Sequence, residues 1–182
     1  MSGKIVRIAI AGVGSRGKNA YGLELLNMKD RAKVVAVADI DPERLALAGD
    51  AHGVPDEMRF PSAEAMLAMP RLADAMLVCT QDRQHVPHAV AALKKGYDVM
   101  MEKPISPKLE DLQEITKVAR ENGRRVVVCH VLRYTPFFQT IKKTIDSGVL
   151  GEIVSIQALE NVRYWHQAHS FVRGNWRREE DT

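Results

Sequence analysis

The chain has 182 residues, 46% of them hydrophobic and 27% charged, with a formal net charge of +3. That is the composition of a soluble globular protein, long enough for one domain and part of another, and the charge is too slight to imply nucleic acid. No apolar run reaches the length of a membrane span, the N-terminus lacks the apolar core of a signal peptide, and Cys79 and Cys129 lie in apolar runs that suit two buried thiols; the cytoplasm is the expected compartment.

Ile5 to Ala11 is apolar almost throughout, as a strand buried on both faces should be. It runs into Gly12-Val-Gly14-Ser15-Arg16-Gly17, a G-x-G-x-x-G turn, and then into a pattern that reads as a helix. In such a turn Gly12 permits the bend, Gly14 lets a pyrophosphate approach the backbone, and Gly17 lets helix and strand pack closely. A second apolar strand, Val34 to Ala38, ends in Asp39, at the spacing where a carboxylate accepts hydrogen bonds from an adenosine ribose. The stretch therefore reads as a dinucleotide site. The cofactor is expected to be NAD rather than NADP, because Asp39 would repel a 2′-phosphate; Arg16 and Arg44 would soften that repulsion.

Asp41-Pro42-Glu43 opens a helix through about Ala51, stopped by His52-Gly53. Met58 to Phe60 reads as a short third strand, and Ser62 as the cap of a helix through about Met69. Asp74 to Cys79 is the expected fourth strand, Gln84 to Lys95 a helix closed by Gly96, and Asp98 to Met101 the fifth strand. Pro107 to Asn122 reads as a long amphipathic helix, Arg125 to His130 carries the sixth strand, and Pro136 to Ser147 a further helix stopped by Gly148. Strands alternating with helices predict an α/β fold, a Rossmann doubly wound parallel sheet of order 3-2-1-4-5-6.

In that arrangement ligands sit beyond the carboxyl ends of the strands. Thr80 and Gln81 leave strand four there, with hydrogen-bonding groups for a nicotinamide ribose or pyrophosphate. His85 and His88 are three apart on the next helix, but no third ligand has a compelling place, so no metal is expected and both read as ordinary helix-start histidines. Glu102-Lys103-Pro104 follows strand five directly. Lys103 is either a cation beside a substrate hydroxyl, able to orient it and lower its pKa, or a surface lysine in a loop; its place at a strand end raises the first above background, and the two stand about even.

The glycine turn, Asp39, the run from Val78 to Pro87, Glu102-Lys103-Pro104 and Ser147-Gly-Val-Leu-Gly-Glu-Ile153 together resemble the Gfo/Idh/MocA oxidoreductases. The resemblance implies a cofactor domain, residues 1–130, followed by the beginning of an α/β substrate domain, residues 131–182. It implies NAD(P)-dependent oxidation or reduction of a sugar, polyol or related carbinol, with Lys103 at the catalytic centre and in contact with substrate. It also implies that His85 and Glu102 border the cofactor and that Arg133 and Tyr134 lie near the start of the substrate pocket; family members are often homo-oligomeric, through the part mostly missing here.

Family members usually continue for about as long again, a length more like two domains than one. Gly151 to Glu160 resembles the first strand of their second sheet, and the family's acid/base histidine would lie beyond Thr182. His166 and His169 sit in Tyr-Trp-His-Gln-Ala-His, which is not the family's catalytic motif. The chain thus reads as an N-terminal piece. The alternative to an enzyme is a dinucleotide-binding fragment or sensor without turnover.

Overall fold

The computed structural model describes residues 4–174 and 176–178. Residues 1–3, 175 and 179–182, which the expected domain limits include, lie outside the described residues. The chain divides into two compact units, the first ending at Cys129 and the second beginning at His130.

The first unit is a parallel sheet of six strands. These are β1 (Val6–Ala11), β2 (Ala32–Ala38), β3 (Arg59–Phe60), β4 (Ala75–Val78), β5 (Asp98–Met101) and β6 (Val126–Val128), in the order β3-β2-β1-β4-β5-β6. This is the expected doubly wound order. The strands are continuously apolar because both faces are covered. Ala9 and Ala11 of β1 and Met76 and Val78 of β4 face one core, with Met66, Leu93, Tyr97 and Ile115. Their neighbours Ile8, Ile10 and Leu77 face the other, with Val13, Val37 and Ala48.

The connections carry α1 (Leu23–Asn27), α2 (Pro42–His52), α3 (Ala63–Ala68), α4 (His85–Lys94) and α5 (Leu109–Glu121). Before α1, Ser15–Gly22 forms a helical segment wound more widely than an α-helix. The Asp41 carboxylate accepts the N–H groups of Glu43 and Arg44 and so caps α2, and Ser62 caps α3 through the N–H of Ala65. Gly53, at φ 61°, takes the left-handed conformation that ends α2.

Several ends differ from expectation. β4 lacks Asp74, whose side chain instead accepts the backbone N–H of Arg7 and pairs with Lys4. Cys79 and Cys129 lie just beyond β4 and β6, free and half-buried rather than buried. α5 starts at Leu109, not Pro107, because the Ser106 hydroxyl accepts the Lys108 N–H and shapes a turn there.

In the second unit, a tight turn, Val131–Tyr134, precedes α6 (Pro136–Asp146). Phe137, Phe138 and Ile141 of α6 are exposed. The expected strand at Gly151 to Glu160 is not formed. No described residue pairs with it, and Val154 and Ile156 are exposed; alternation alone does not make a strand without a ladder partner. Farther on, where the sequence shows no clear periodicity, α7 (Tyr164–Gln167) continues into a wider helical turn, Ala168–Val172.

Candidate dinucleotide site

The parallel sheet puts the carboxyl ends of its strands along one edge, and the candidate residues of the first unit follow those ends. After β1, Gly12 has φ +86°, and a Cβ there would stand 2.6 Å from the Cys79 carbonyl oxygen. A Cβ on Gly17 would stand 1.9 Å from the Gly12 carbonyl oxygen. Both positions are glycine because the fold leaves no room for a side chain.

Gly14 is different. A Cβ built on it meets only a guanidinium nitrogen of Arg44, at 3.8 Å. Packing does not require glycine at this position; its bare backbone faces open space at the start of the helical segment, the place where a pyrophosphate would approach N–H groups. The turn therefore fits the phosphates of a dinucleotide. Ser15 and Arg16 are exposed beside it, and Arg16 Nε lies 4.0 Å from the Glu102 carboxylate.

After β2, the Asp39 carboxylate is held by two backbone donors. Oδ2 accepts from Val13 at 2.7 Å and Oδ1 from Asp41 at 2.9 Å. Each oxygen keeps a further lone pair for a ribose hydroxyl. Arg44 Nε lies 3.4 Å from the Asp41 carboxylate, so that cation already has an anionic partner.

After β4, Thr80 bonds through its hydroxyl to Nδ1 of His88 at 3.1 Å, and Gln81 donates its N–H to the Gln84 side chain at 3.4 Å. His88 also bonds Glu64 at 2.8 Å. That contact, with backbone and Ser62 hydrogen bonds, holds the Glu64 carboxyl down to about 2. His85 is 1% exposed, and both its ring nitrogens meet main-chain carbonyls: Nδ1 that of Pro104 at 2.7 Å, Nε2 that of Thr80 at 3.0 Å. It therefore sits between the end of β4 and the loop after β5.

That loop holds Glu102, 7% exposed, and Lys103, which is exposed. One Glu102 oxygen accepts the Tyr21 hydroxyl; the other accepts the Lys103 backbone N–H at 3.1 Å. Burial, helped by Cys129 and Glu102, pushes the Tyr21 hydroxyl well above the usual range, and burial does the same to the Cys79 thiol. Arg133 and Tyr134 lie on the tight turn of the second unit, both exposed. No group of three His, Cys, Asp or Glu side chains converges as a metal site among the described residues.

Gly12 to Gly17, Asp39, Thr80, Gln81, His85, Glu102 and Lys103 thus all belong to one sheet edge. Sequence reasoning missed Tyr21, which belongs to no motif; the only signal was an aromatic residue four positions after Gly17, at helical spacing. It also missed that His85 faces protein carbonyls.

A family described as an oxidoreductase family with an NAD-binding Rossmann fold matches residues 6–130. The chain is 30% identical over 147 residues to inositol 2-dehydrogenase 3 of Saccharopolyspora erythraea, covering 80% of this chain and 42% of that protein. It is 27% identical to the scyllo-inositol 2-dehydrogenase (NADP(+)) IolW of Bacillus subtilis, over 97% of this chain and 46% of that one. Among solved structures, the WlbA dehydrogenase of Bordetella pertussis in complex with NADH and UDP-GlcNAcA superposes with a TM-score of 0.75 at 31% identity, covering 84% of this chain and 43% of that chain. The chain spans less than half the length of each of these proteins.

Proposed function

This chain belongs to the Gfo/Idh/MocA oxidoreductase family, and from that premise we propose that it binds NAD(H) at its glycine turn and serves hydride transfer to or from a carbinol carbon of a sugar or polyol. The observation that carries the reading is Gly14. It is an open glycine between two that packing enforces, so its bareness serves a ligand rather than the fold.

In this reading residues 1–130 form the cofactor domain and residues 131–182 begin the substrate domain. The backbone from Gly12 to Gly17, with Ser15 and Arg16, holds the pyrophosphate. Asp39 takes the ribose diol with its free lone pairs, while Thr80 and Gln81 line the path toward the nicotinamide. The bound dinucleotide supplies the hydride acceptor or donor. Lys103 places its ammonium at the substrate oxygen, orients it, and takes part in moving its proton. Arg133 and Tyr134 contribute to substrate binding.

NAD is preferred over NADP. Asp39 would set a like charge against a 2′-phosphate, and the two arginines that would offset it already face Asp41 and Glu102. The relatives named above act on small polyols or carry a nucleotide sugar, which suits a small-molecule substrate of that class. Among the described residues no helix is long and apolar enough to cross a membrane, and two free thiols suit the reducing cytoplasm. Homo-oligomerisation is part of the same proposal.

The test is a titration with NADH and NADPH by fluorescence, followed by an assay of NADH formation from NAD and a panel of inositols, aldoses and nucleotide sugars. Tighter binding of NADH is expected from residues 1–182, and turnover of one member of the panel once a complete substrate domain is in place. Equal affinity for the two dinucleotides would overturn the cofactor assignment, and no binding of either would overturn the reading as a whole.

A further inference from the structure

Lys103 is exposed, yet the backbone that carries it is held on both sides by buried side chains. On its C-terminal side the Pro104 carbonyl meets one ring nitrogen of His85, whose other ring nitrogen faces the Thr80 carbonyl. On its N-terminal side stands Glu102, a carboxylate only 7% exposed. A buried carboxylate is stable only with donors around it, and the way these are divided is informative. One oxygen faces the loop and accepts the Lys103 N–H at 3.1 Å. The other faces the helical segment after the glycine turn and accepts the Tyr21 hydroxyl, with Arg16 Nε at 4.0 Å.

Tyr21 and Glu102 are 81 positions apart in the chain. Tyr21 lies in Ser15–Gly22, the segment whose Gly17 packs directly on the Gly12 carbonyl. A series of direct contacts therefore runs from the glycine turn through Tyr21 and Glu102 to the main chain of Lys103. A charged acceptor makes both links stronger than neutral hydrogen bonds. Burial and its two polar neighbours, Cys129 and Glu102, also favour the protonated tyrosine, the form that donates.

We infer that Tyr21 is a positioning residue for Lys103: its hydroxyl orients the Glu102 carboxylate so that the second oxygen fixes the Lys103 backbone. The catalytic consequence rests on the dehydrogenase reading above; the structural link does not. Without the hydroxyl, that Glu102 oxygen keeps the Arg16 guanidinium, at 4.0 Å, and turns toward it. The Lys103 N–H then loses its acceptor, and the ammonium beyond it loses a fixed origin.

The deciding measurement is amide hydrogen exchange by NMR on wild type and Tyr21→Phe. Exchange at Lys103 should rise by about tenfold or more, the effect of losing a hydrogen bond to a charged group. Exchange at Val99 and Met101 in β5 should stay as in wild type, which separates loss of positioning from general loosening. Unchanged exchange at Lys103 would overturn the inference, and so would an equal rise along β5. Should Tyr21→Phe fail to fold, Glu102→Ala provides the second route: Lys103 exchange should rise in it, and an unchanged rate would overturn the proposal. If both variants fold, the double variant should exchange at Lys103 no faster than Glu102→Ala, because both act on one path; additive effects would count against it.

In the dehydrogenase assay Tyr21→Phe should lower kcat about tenfold with the KM for NAD unchanged. A failure of wild type to bind NADH would defeat the enzymatic reading while leaving the exchange result to stand or fall alone.

Discussion

The Asp39 carboxylate accepts the backbone N–H of Val13 at 2.7 Å, so the side chain that ends β2 also shapes the glycine turn after β1. Its other oxygen accepts the N–H of Asp41 at 2.9 Å, at the cap of α2. One residue thus joins three backbone segments at the adenosine end of the proposed site, with lone pairs to spare for a ribose.

Asp39→Ala should accordingly do two things. It should destabilise the first unit by about 1.5–3 kcal/mol, the range for hydrogen bonds to a charged group, measured by urea unfolding. It should also weaken NADH more than NADPH, since the ribose diol loses its acceptor while the 2′-phosphate loses its repulsion. Equal weakening of the two dinucleotides would mean that Asp39 acts only through Val13.

Lys103→Ala should behave in the opposite way. The side chain is exposed and the backbone anchors do not depend on it, so stability should stay within about 0.5 kcal/mol of wild type. Dinucleotide affinity should change little. With a complete substrate domain in place, turnover should fall by roughly two to four orders of magnitude, the range for a positioned acid or base. Near-normal turnover would return Lys103 to the status of a surface lysine.

The pair His88–Glu64 predicts a pH-dependent contribution to stability. Hydrogen bonding lowers the Glu64 carboxyl from 4.5 to about 2, so its stabilising effect is complete above about pH 4.5 and fades as the pH falls toward 2. The Glu64 side chain is 67% exposed, which limits the effect to under about 1 kcal/mol. Urea unfolding of wild type and Glu64→Ala should show a small gap near neutral pH that closes on acidification. A gap that widens in acid would contradict the sign.

The architecture of the first unit was legible because buried parallel strands are continuously apolar and the glycine turn marks where β1 ends. Ile8 to Ala11 and Met76 to Val78 are plain in the sequence for that reason, and the strand order follows from the alternation of strands and helices. Ends decided by a single side chain were not legible: the Ser106 hydroxyl delays α5, and Asp74 turns aside to Arg7 and Lys4. Val154 and Ile156 mislead in the other direction, since their alternation reads as a strand although no described residue pairs with them. At the site, motif spacing locates Gly12, Gly14, Gly17, Asp39 and Lys103. It is silent on Tyr21, because a contact across 81 positions leaves no local pattern. Nor does it tell that each ring nitrogen of buried His85 faces a main-chain carbonyl, a fact of three-dimensional packing alone.

The most direct measurement compares two glycine variants in the same turn. Gly17→Ala places a Cβ 1.9 Å from the Gly12 carbonyl oxygen, an overpacking expected to cost at least about 1–3 kcal/mol in urea unfolding. The Cβ of Gly14→Val enters space where only an arginine nitrogen stands within 4 Å, so the variant should unfold much like wild type. With its side chain in the path of the pyrophosphate, Gly14→Val should lose NADH binding by isothermal titration. A Gly14→Val protein that folds normally and binds NADH as wild type does would contradict the claim that this turn is the dinucleotide site.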